Sequence, residues 1–348
     1  MSAVELREGT EDQETQVDVL TYNEWGAPNL TYDEYLDREE QFRATPFAAS
    51  VTDFVLVPTS EPTTLNLHGY LEVFARQVIL RPHDATDVVV VDAWSVASVF
   101  TPPTHRKKGY AGAMLAAFKH RCHASSAPFV VSNLYSDIGR DFYAQKGWLP
   151  TPSDEIEIPV SFELPLAPPG TESYQLHTIA TRADLEKITR MDEATVTARL
   201  QPGQLAFVLT ADAVDFFNVQ HTYFARRYRQ LTVLPTAYGV YITEAGSDAI
   251  LGYVIWTHNF EEETLDVLKF DGVDQHIFTA ILPALLAEAR AWGLQCTNLW
   301  PTPEMPLPDD VRALTKPRDD SLAMLLVQDK AGRDVPFKWI ANEKYLYA

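Results

Sequence analysis

VFTPPTHRKKGYAGAMLAAFKHRC, residues 99–122, is the stretch on which the fold turns. A β-branched and aromatic run ends at Thr101, two prolines break it, and a basic, glycine-bearing loop runs from Arg106 to Ala111. Beyond it Ala111, Met114, Leu115, Phe118 and Cys122 recur at helical spacing, so the loop joins a strand to a helix. Successive backbone amides at a helix N-terminus form a site for a pyrophosphate. Gly109 lets the backbone approach closely, and Arg106, Lys107 and Lys108 add charge. The bare pattern is common by chance, so its weight comes from its surroundings.

Upstream, residues 50–58, 69–80 and 88–101 read as strands, the last two separated by the turn signals Pro82, His83 and Asp84 and so expected to pair antiparallel. Thr31 is placed to cap a helix over 32–42. The first 40 residues hold 12 Asp and Glu against Arg7 and Arg38, and residues 1–18 are expected to be a solvated, partly frayed terminus. Downstream, Pro128 precedes a strand over 129–134, a helix is expected from near Ser136 to Gly147, and a strand over 155–162 closes this half. Residues 164–170, with Pro165, Pro168 and Pro169, read as an extended linker, giving domains 1–165 and 166–348. In the second half Thr181 caps a helix through Leu200, strands are expected over 238–243, 250–258 and 264–270, then a helix over 275–292 and a strand over 295–300. That order echoes residues 69–134, so a mixed α/β domain is expected, a degenerate copy of the first without residue-by-residue repetition.

Arg106-x-x-Gly109-x-Ala111 resembles the acetyl-CoA loop of the GNAT superfamily, Arg or Gln-x-x-Gly-x-Gly or Ala. Thr101 and Pro103 precede it as the end of the fourth strand does there, and Phe142, Tyr143, Gly147 and Trp148 resemble the Phe-Tyr-x-x-x-Gly-Phe signature one helix later. The resemblance implies an α/β fold of mixed, mostly antiparallel sheet whose fourth and fifth strands splay. It implies an acetyl-CoA-dependent N-acetyltransferase in which pantetheine pairs near Val99, Phe100 and Thr101 and the pyrophosphate sits on the amides of Lys107, Lys108, Gly109, Tyr110 and Ala111. Asp137, where many members carry Asn, and Arg140 are then cofactor neighbours, and Tyr143 is the acid that protonates the departing thiolate. The second domain, without such a loop, is expected to bind no cofactor. Aminolysis of a thioester also needs an oxyanion donor, for which the amide of Phe100 or Thr101 is placed, and a base. Glu72, Asp92 and Asp137 lie near the right strands, Glu72 and Asp92 being the candidates for base. An amine of lowered pKa needs none.

A narrower resemblance is to the fungal lysine N6-acetyltransferases. It is carried by Trp25, Gly26 and Tyr35-Leu-Asp-Arg-Glu-Glu40, by Ser98-Val-Phe-Thr-Pro-Pro103 with His105 and Arg106, and by Leu134-Tyr-Ser-Asp-Ile-Gly139. Trp256-Thr-His258, Leu299-Trp-Pro301 and Trp339-Ile-Ala-Asn-Glu-Lys-Tyr345 continue it. It implies acetylation of the ε-amine of free L-lysine, the first step of lysine catabolism. Near His221 this chain departs, with Phe224, Ala225, Arg226 and Arg227 in place of Arg-Glu-Glu-Phe. Lysine asks for an acid at its distal ammonium and a positive or amide group at its α-carboxylate. Trp25, Tyr35, Arg38, Glu39 and Asn133 are the candidates for that pocket, with Glu343 and Tyr345 on a final strand reaching across from the second domain. Two alternatives stay open: another small amine, such as a polyamine or lysine analogue, or a non-catalytic acetyl-CoA-binding regulator.

Composition sets the limits. A chain of 348 residues, 46% hydrophobic, can bury a sizeable core and favours two domains. A formal charge of −20 repels nucleic acid and anionic membranes and attracts cations. Neither a membrane span nor a signal peptide is legible, which with two separated cysteines, Cys122 and Cys296, points to the cytoplasm. A monomer or homodimer is expected. His120, Cys122 and His123 are spread around a helix, so no metal is expected, and Ser125 and Ser126 lack a nucleophile's Gly-x-Ser-x-Gly setting. Glu261 to Glu263 is expected to be a solvated turn.

Overall fold

The computed structural model describes residues 3–164 and 173–347. The expected linker, Leu164 apart, and the boundary at 165 lie outside the described residues. The chain opens with β1 (Val4–Glu8), α1 (Glu11–Trp25), α2 (Tyr32–Arg43) and β2 (Val51–Pro58). β1 pairs antiparallel with β2, so the terminus expected to fray is ordered. The acids that suggested disorder have structural work: Glu11, Asp12 and Glu14 sit in the first turn of α1, where the helix dipole favours them, behind a capping box of Thr10 and Gln13. Thr31 caps α2 as expected, its box completed by Glu34.

β3 (Gly69–Arg81), β4 (Val89–Phe100), α3 (Tyr110–Cys122) and β5 (Phe129–Ser136) follow, then α4 (Asp141–Ala144), β6 (Leu149–Pro150) and β7 (Asp154–Pro159). The helix expected over 136–147 shrinks to α4. Gly139 and Gly147, at φ 85° and 103°, bound it on either side with left-handed backbone. The second half comprises β8 (Tyr174–Ile179), α5 (Arg182–Arg199), β9 (Gln204–Phe207), α6 (Ala211–Arg229), β10 (Gly239–Glu244), β11 (Ile250–Asn259) and β12 (Thr264–Gly272). It ends with α7 (Gln275–Ala291), β13 (Cys296–Leu299), α8 (Asp309–Arg312), β14 (Thr315–Pro317), β15 (Leu322–Asp329) and β16 (Lys338–Trp339). The final strand expected to carry Glu343 and Tyr345 does not reach them: β16 ends at Trp339, and Tyr345 lies in a 3-10 turn at Lys344–Leu346.

The first sheet runs β1-β2-β3-β4-β5-β15-β6 and the second β8-β10-β11-β12-β13-β7-β14. Rank for rank the orders are the same, so the second half repeats the topology of the first. In each sheet the strand beside the fifth comes from the other half. β15 pairs antiparallel with β5 from Leu322–Ser136 to Asp329–Phe129, and β7 pairs with β13 from Cys296–Pro159 to Leu299–Ile156. The strand expected to close the first half therefore closes the second. Its alternation, with Ile156 and Ile158 buried, fits either sheet, and packing against Leu265, Leu285 and Leu299 decides which.

The halves share one core. Val78, Leu80 and Val131 of the first sheet meet Tyr253, Ile255 and Leu268 of the second, and β9 crosses the seam to pair with β3. Each such side chain contributes about 1.5–3 kcal/mol by leaving water. On the opposite face of the first sheet α3 buries Met114, Leu115 and Phe118. Among the described residues no helix is long and apolar enough to cross a membrane.

Candidate active site

β4 is hydrogen-bonded to β5 in parallel over Ala93–Val96 and Val131–Leu134, and the pairing stops there, short of both C-terminal ends. At the same point β4 gains a residue against β3: Tyr70 faces Phe100 while Glu72 faces Ala97. The extra residue makes a bulge, and Ser98 in it has φ 51°, a strained conformation for a side chain with a Cβ. Its hydroxyl donates to Glu72 Oε2 at 2.6 Å. Splay and bulge open the sheet onto a cavity of about 990 Å³ lined by both strands, α1, α2, α4 and α6.

Glu72 is the chemical centre of this cavity. The Tyr70 hydroxyl lies 2.8 Å from its Oε1 and 2.6 Å from Asp53 Oδ1. One phenolic proton thus serves two carboxylates. Burial, and then the charge of Asp53, push the Glu72 carboxyl up to about 7, against the lowering effect of bonds from Ser98 and Tyr70. Three arginines line the cavity, and each is tied to an acid: Arg43 to Asp18 at 2.5 Å, Arg38 to Glu39 at 2.6 Å, and Arg106 to Glu24. Asp53 and Glu72 form no ion pair among the described residues. The wall therefore carries two half-buried carboxylates that no arginine neutralises, and it suits a cation.

The loop before α3 fits an anion. Gly109 is the N-cap of α3 at φ 80°, no side chain caps the helix, and a Cβ there would meet nothing within 4 Å. The start of the helix is flanked by the exposed Lys107, at φ 62°, and by Lys108, whose ammonium donates to Thr104 O at 2.8 Å. Arg106 turns instead into the cavity, bonding Thr101 O at 3.0 Å. Tyr110 is buried against His68 and packs the loop down, and Ala111 continues the first turn of α3. Val99, Phe100 and Thr101 line the cavity at the splayed end of β4.

Tyr143 on α4 lines the cavity opposite and is 7% exposed. Burial, then Asp137, push its phenol up to about 12, so it is a proton donor throughout the physiological range. Asp137 borders the cavity and accepts from the Ser321 amide at 2.9 Å, anchoring the start of the exchanged strand β15. Arg140, exposed just before α4, does not line the cavity.

Of the residues expected at the substrate, Trp25, Tyr35, Arg38 and Glu39 all line the cavity. Tyr35 is buried and bonds Thr21 at 2.9 Å, while Trp25 packs edge-on to Phe100 at 6.0 Å. Arg38 donates to Glu39 and to Trp25 O and stacks 4.7 Å over Tyr35, so its donors are committed. Asn133 is buried in β5, accepting from Ser95 at 2.6 Å, and is not part of the cavity wall. Asp92 is exposed opposite Gln77, away from the cavity. Glu343 and Tyr345 do not reach the site: Glu343 binds Lys269, and Tyr345 donates to Phe207 O at 2.7 Å. Sequence reasoning missed Asp53 and Tyr70, whose only signal is a polar group inside an apolar run, and Glu261, which borders the cavity from its turn.

Residues 161–348 match the family described as the LYC1 GNAT-like C-terminal domain. No curated protein matches the chain. Solved structures share its fold over nearly all its length at low identity. A GCN5-related N-acetyltransferase from Kribbella flavida is 13% identical with a TM-score of 0.56, the match covering 94% of this chain and 71% of that one. Saccharomyces cerevisiae N-myristoyltransferase is 12% identical with a TM-score of 0.51, covering 97% and 82%. A tandem GNAT protein from the clavulanic acid biosynthesis pathway is 14% identical with a TM-score of 0.50, covering 95% and 100%. At these identities the likeness is one of fold. The family match spans more than half of the chain, so the chain belongs to the LYC1 GNAT-like family and is an N-acetyltransferase of the GNAT superfamily, acting on an amine with an acyl-CoA donor.

Proposed function

We propose that the chain transfers acetyl from acetyl-CoA to the ε-amine of free L-lysine, the step that opens lysine breakdown. The observation that carries this reading is Glu72, half-buried in the wall of the cavity, unpaired by any arginine, with its carboxyl raised to about 7. A carboxylate with that pKa both holds a substrate ammonium and takes its proton near neutral pH. Acetyl-CoA supplies a thioester, and the open amides at Gly109, with Lys107 and Lys108, are the residues suited to hold its pyrophosphate.

Glu72 accepts one proton from the ammonium, and the freed lone pair forms the C–N bond. The phenol of Tyr143 gives its proton to the sulfur as the C–S bond breaks and regains one from the amide nitrogen, so one proton leaves through Glu72 for each acetyl transferred. Aromatic Tyr35, Trp25 and Phe74 suit the methylene stem of lysine.

The test is CoA release from acetyl-CoA with L-lysine, spermidine and a lysine-containing peptide, in wild type and Tyr143→Phe. Turnover of lysine alone, slowed in the variant, is the expected result. Preference for spermidine makes the substrate a polyamine, and binding of acetyl-CoA without turnover of any amine overturns the catalytic reading.

A further inference from the structure

An amino-acid substrate brings a carboxylate as well as an amine, and Arg38, the arginine expected to meet it, has its donors committed to Glu39 and Trp25. Arg76 on β3 does not. It is 7% exposed, and its Nε, Nη1 and Nη2 all lack a hydrogen-bond partner among the described residues. Its guanidinium rests 4.4 Å over the ring of Phe47, which stacks at 5.2 Å on the cavity-lining Phe74. A buried cation without an acceptor is costly, and burial pulls its pKa down to about 10.

The register of the sheet places it relative to the site. Glu72 lies opposite Ala97, the next row inward is Phe74, Ser95 and Asn133, and the row after that is Arg76, Ala93 and Val131. Asn133 Nδ2 is also buried without a partner among the described residues. Orphan donors on two adjacent rows thus lie just beyond a cavity floor that includes Phe74, Ala97 and Tyr135. Glu72 and Arg76, four residues apart on one face of β3, are separated by about 13 Å of strand. An extended lysine spans roughly that distance with a hydrogen bond at each end.

Resting on the function proposed above, we infer that Arg76, with Asn133 Nδ2, forms an anion-binding subsite just beyond the cavity floor and takes the α-carboxylate of an amino-acid substrate whose distal amine lies against Glu72. A guanidinium offers a carboxylate two parallel N–H donors, and in a dry site the pair excludes amines that leave the arginine empty.

The test compares kcat/KM for L-lysine and for 1,5-diaminopentane, which is lysine without its carboxylate, in full-length wild type and Arg76→Met, with melting temperature as the check on folding. Wild type should favour lysine, and Arg76→Met should lose about a hundredfold on lysine, chiefly in KM, while diaminopentane changes less than about threefold. Equal losses on both amines make Arg76 a structural residue and overturn the assignment. So does a lysine-selective loss in Arg318→Met instead, since Arg318, stacked 3.4 Å over Trp300, is another arginine with orphan nitrogens. If Arg76→Met does not fold, Arg76→Lys keeps the charge without the fork and should lose about tenfold on lysine alone. If wild type acetylates neither amine, the proposed reaction has failed, and the anion site is judged separately by thermal shift. L-lysine should then stabilise wild type more than Arg76→Met, and no difference overturns it.

Discussion

The two halves carry the same strand order and even the same irregularity, yet only one leaves the helix after its fourth strand uncapped by a side chain. In the second half β12 bulges against β11 between Ile255 and Trp256, as β4 does against β3, and its parallel pairing with β13 ends with β13 at Leu299, leaving β12 to continue beyond Val267. What fills the gap differs. Glu343 inserts a carboxylate there, accepting from the Phe270 amide at 2.8 Å and pairing with Lys269. At the start of α7 the Asp274 side chain accepts from the His276 and Ile277 amides at 2.8 and 3.3 Å, where α3 presents an uncapped Gly109. The second half has thus placed its own carboxylates at the bulged strand end and at the helix start, whereas α3 of the first half begins at Gly109 with no side-chain cap.

The largest expected effect is on Glu72→Gln, which removes the half-buried carboxylate at the bulge of the first half. The proton acceptor is lost, so kcat/KM should fall on the order of a thousandfold. The rate of wild type should rise with pH through about 7 as Glu72 ionises, and the variant should lose that limb. The linkage runs with it. Because the folded pKa is raised, the stability Glu72 contributes is fully present below its ordinary pKa and is lost as pH rises through about 7. The glutamine variant should therefore gain melting temperature relative to wild type at pH 8 and not at pH 4. An unchanged limb in the pH profile assigns the base elsewhere.

Next in size is Glu343→Gln. Burial opposes the charge of Lys269, but Asp192 and Glu343 outweigh it and hold its pKa above the ordinary lysine value. Removing one of the two acids should cost about 3 kcal/mol in urea unfolding, with acetyl-CoA affinity unchanged. Transplanting the second half's cap into the first, Gly109→Asp, should weaken acetyl-CoA binding by calorimetry on the order of a hundredfold, since like charges about 6 Å apart cost about 3 kcal/mol at an effective dielectric near 20 and each 1.4 kcal/mol is tenfold. Undiminished binding would mean that the pyrophosphate sits elsewhere than on α3.

How much of this was legible follows from range. The loop at Arg106–Ala111 and the helix after it are local, and glycine, charge and periodicity sufficed to read them. Thr31 and Thr181 declared their helices for the same reason. The exchange of β7 and β15 was hidden because alternation specifies a strand's face and says nothing of its neighbour. Glu72 and Asp92 looked alike as single acids in apolar strands; only the folded sheet turns one into the cavity wall and leaves the other exposed. Asn133 turns its oxygen to Ser95 and leaves its Nδ2 without a partner among the described residues, a division set by a contact across strands that no window along the chain contains.

The smallest expected effect probes the comparison from the other side. Asp274→Ala removes the cap from α7 and should cost about 1 kcal/mol, the ordinary worth of an N-cap side chain, seen as a lower urea midpoint with unchanged slope. It should not create a second cofactor site. Glu343 still holds the Phe270 amide, and residues 271–277 contain no Lys or Arg to answer a pyrophosphate. Calorimetry should therefore still count one acetyl-CoA per chain. A second equivalent in this variant would show that a single carboxylate had been closing the second half, and that uncapped amides suffice for binding without the basic loop.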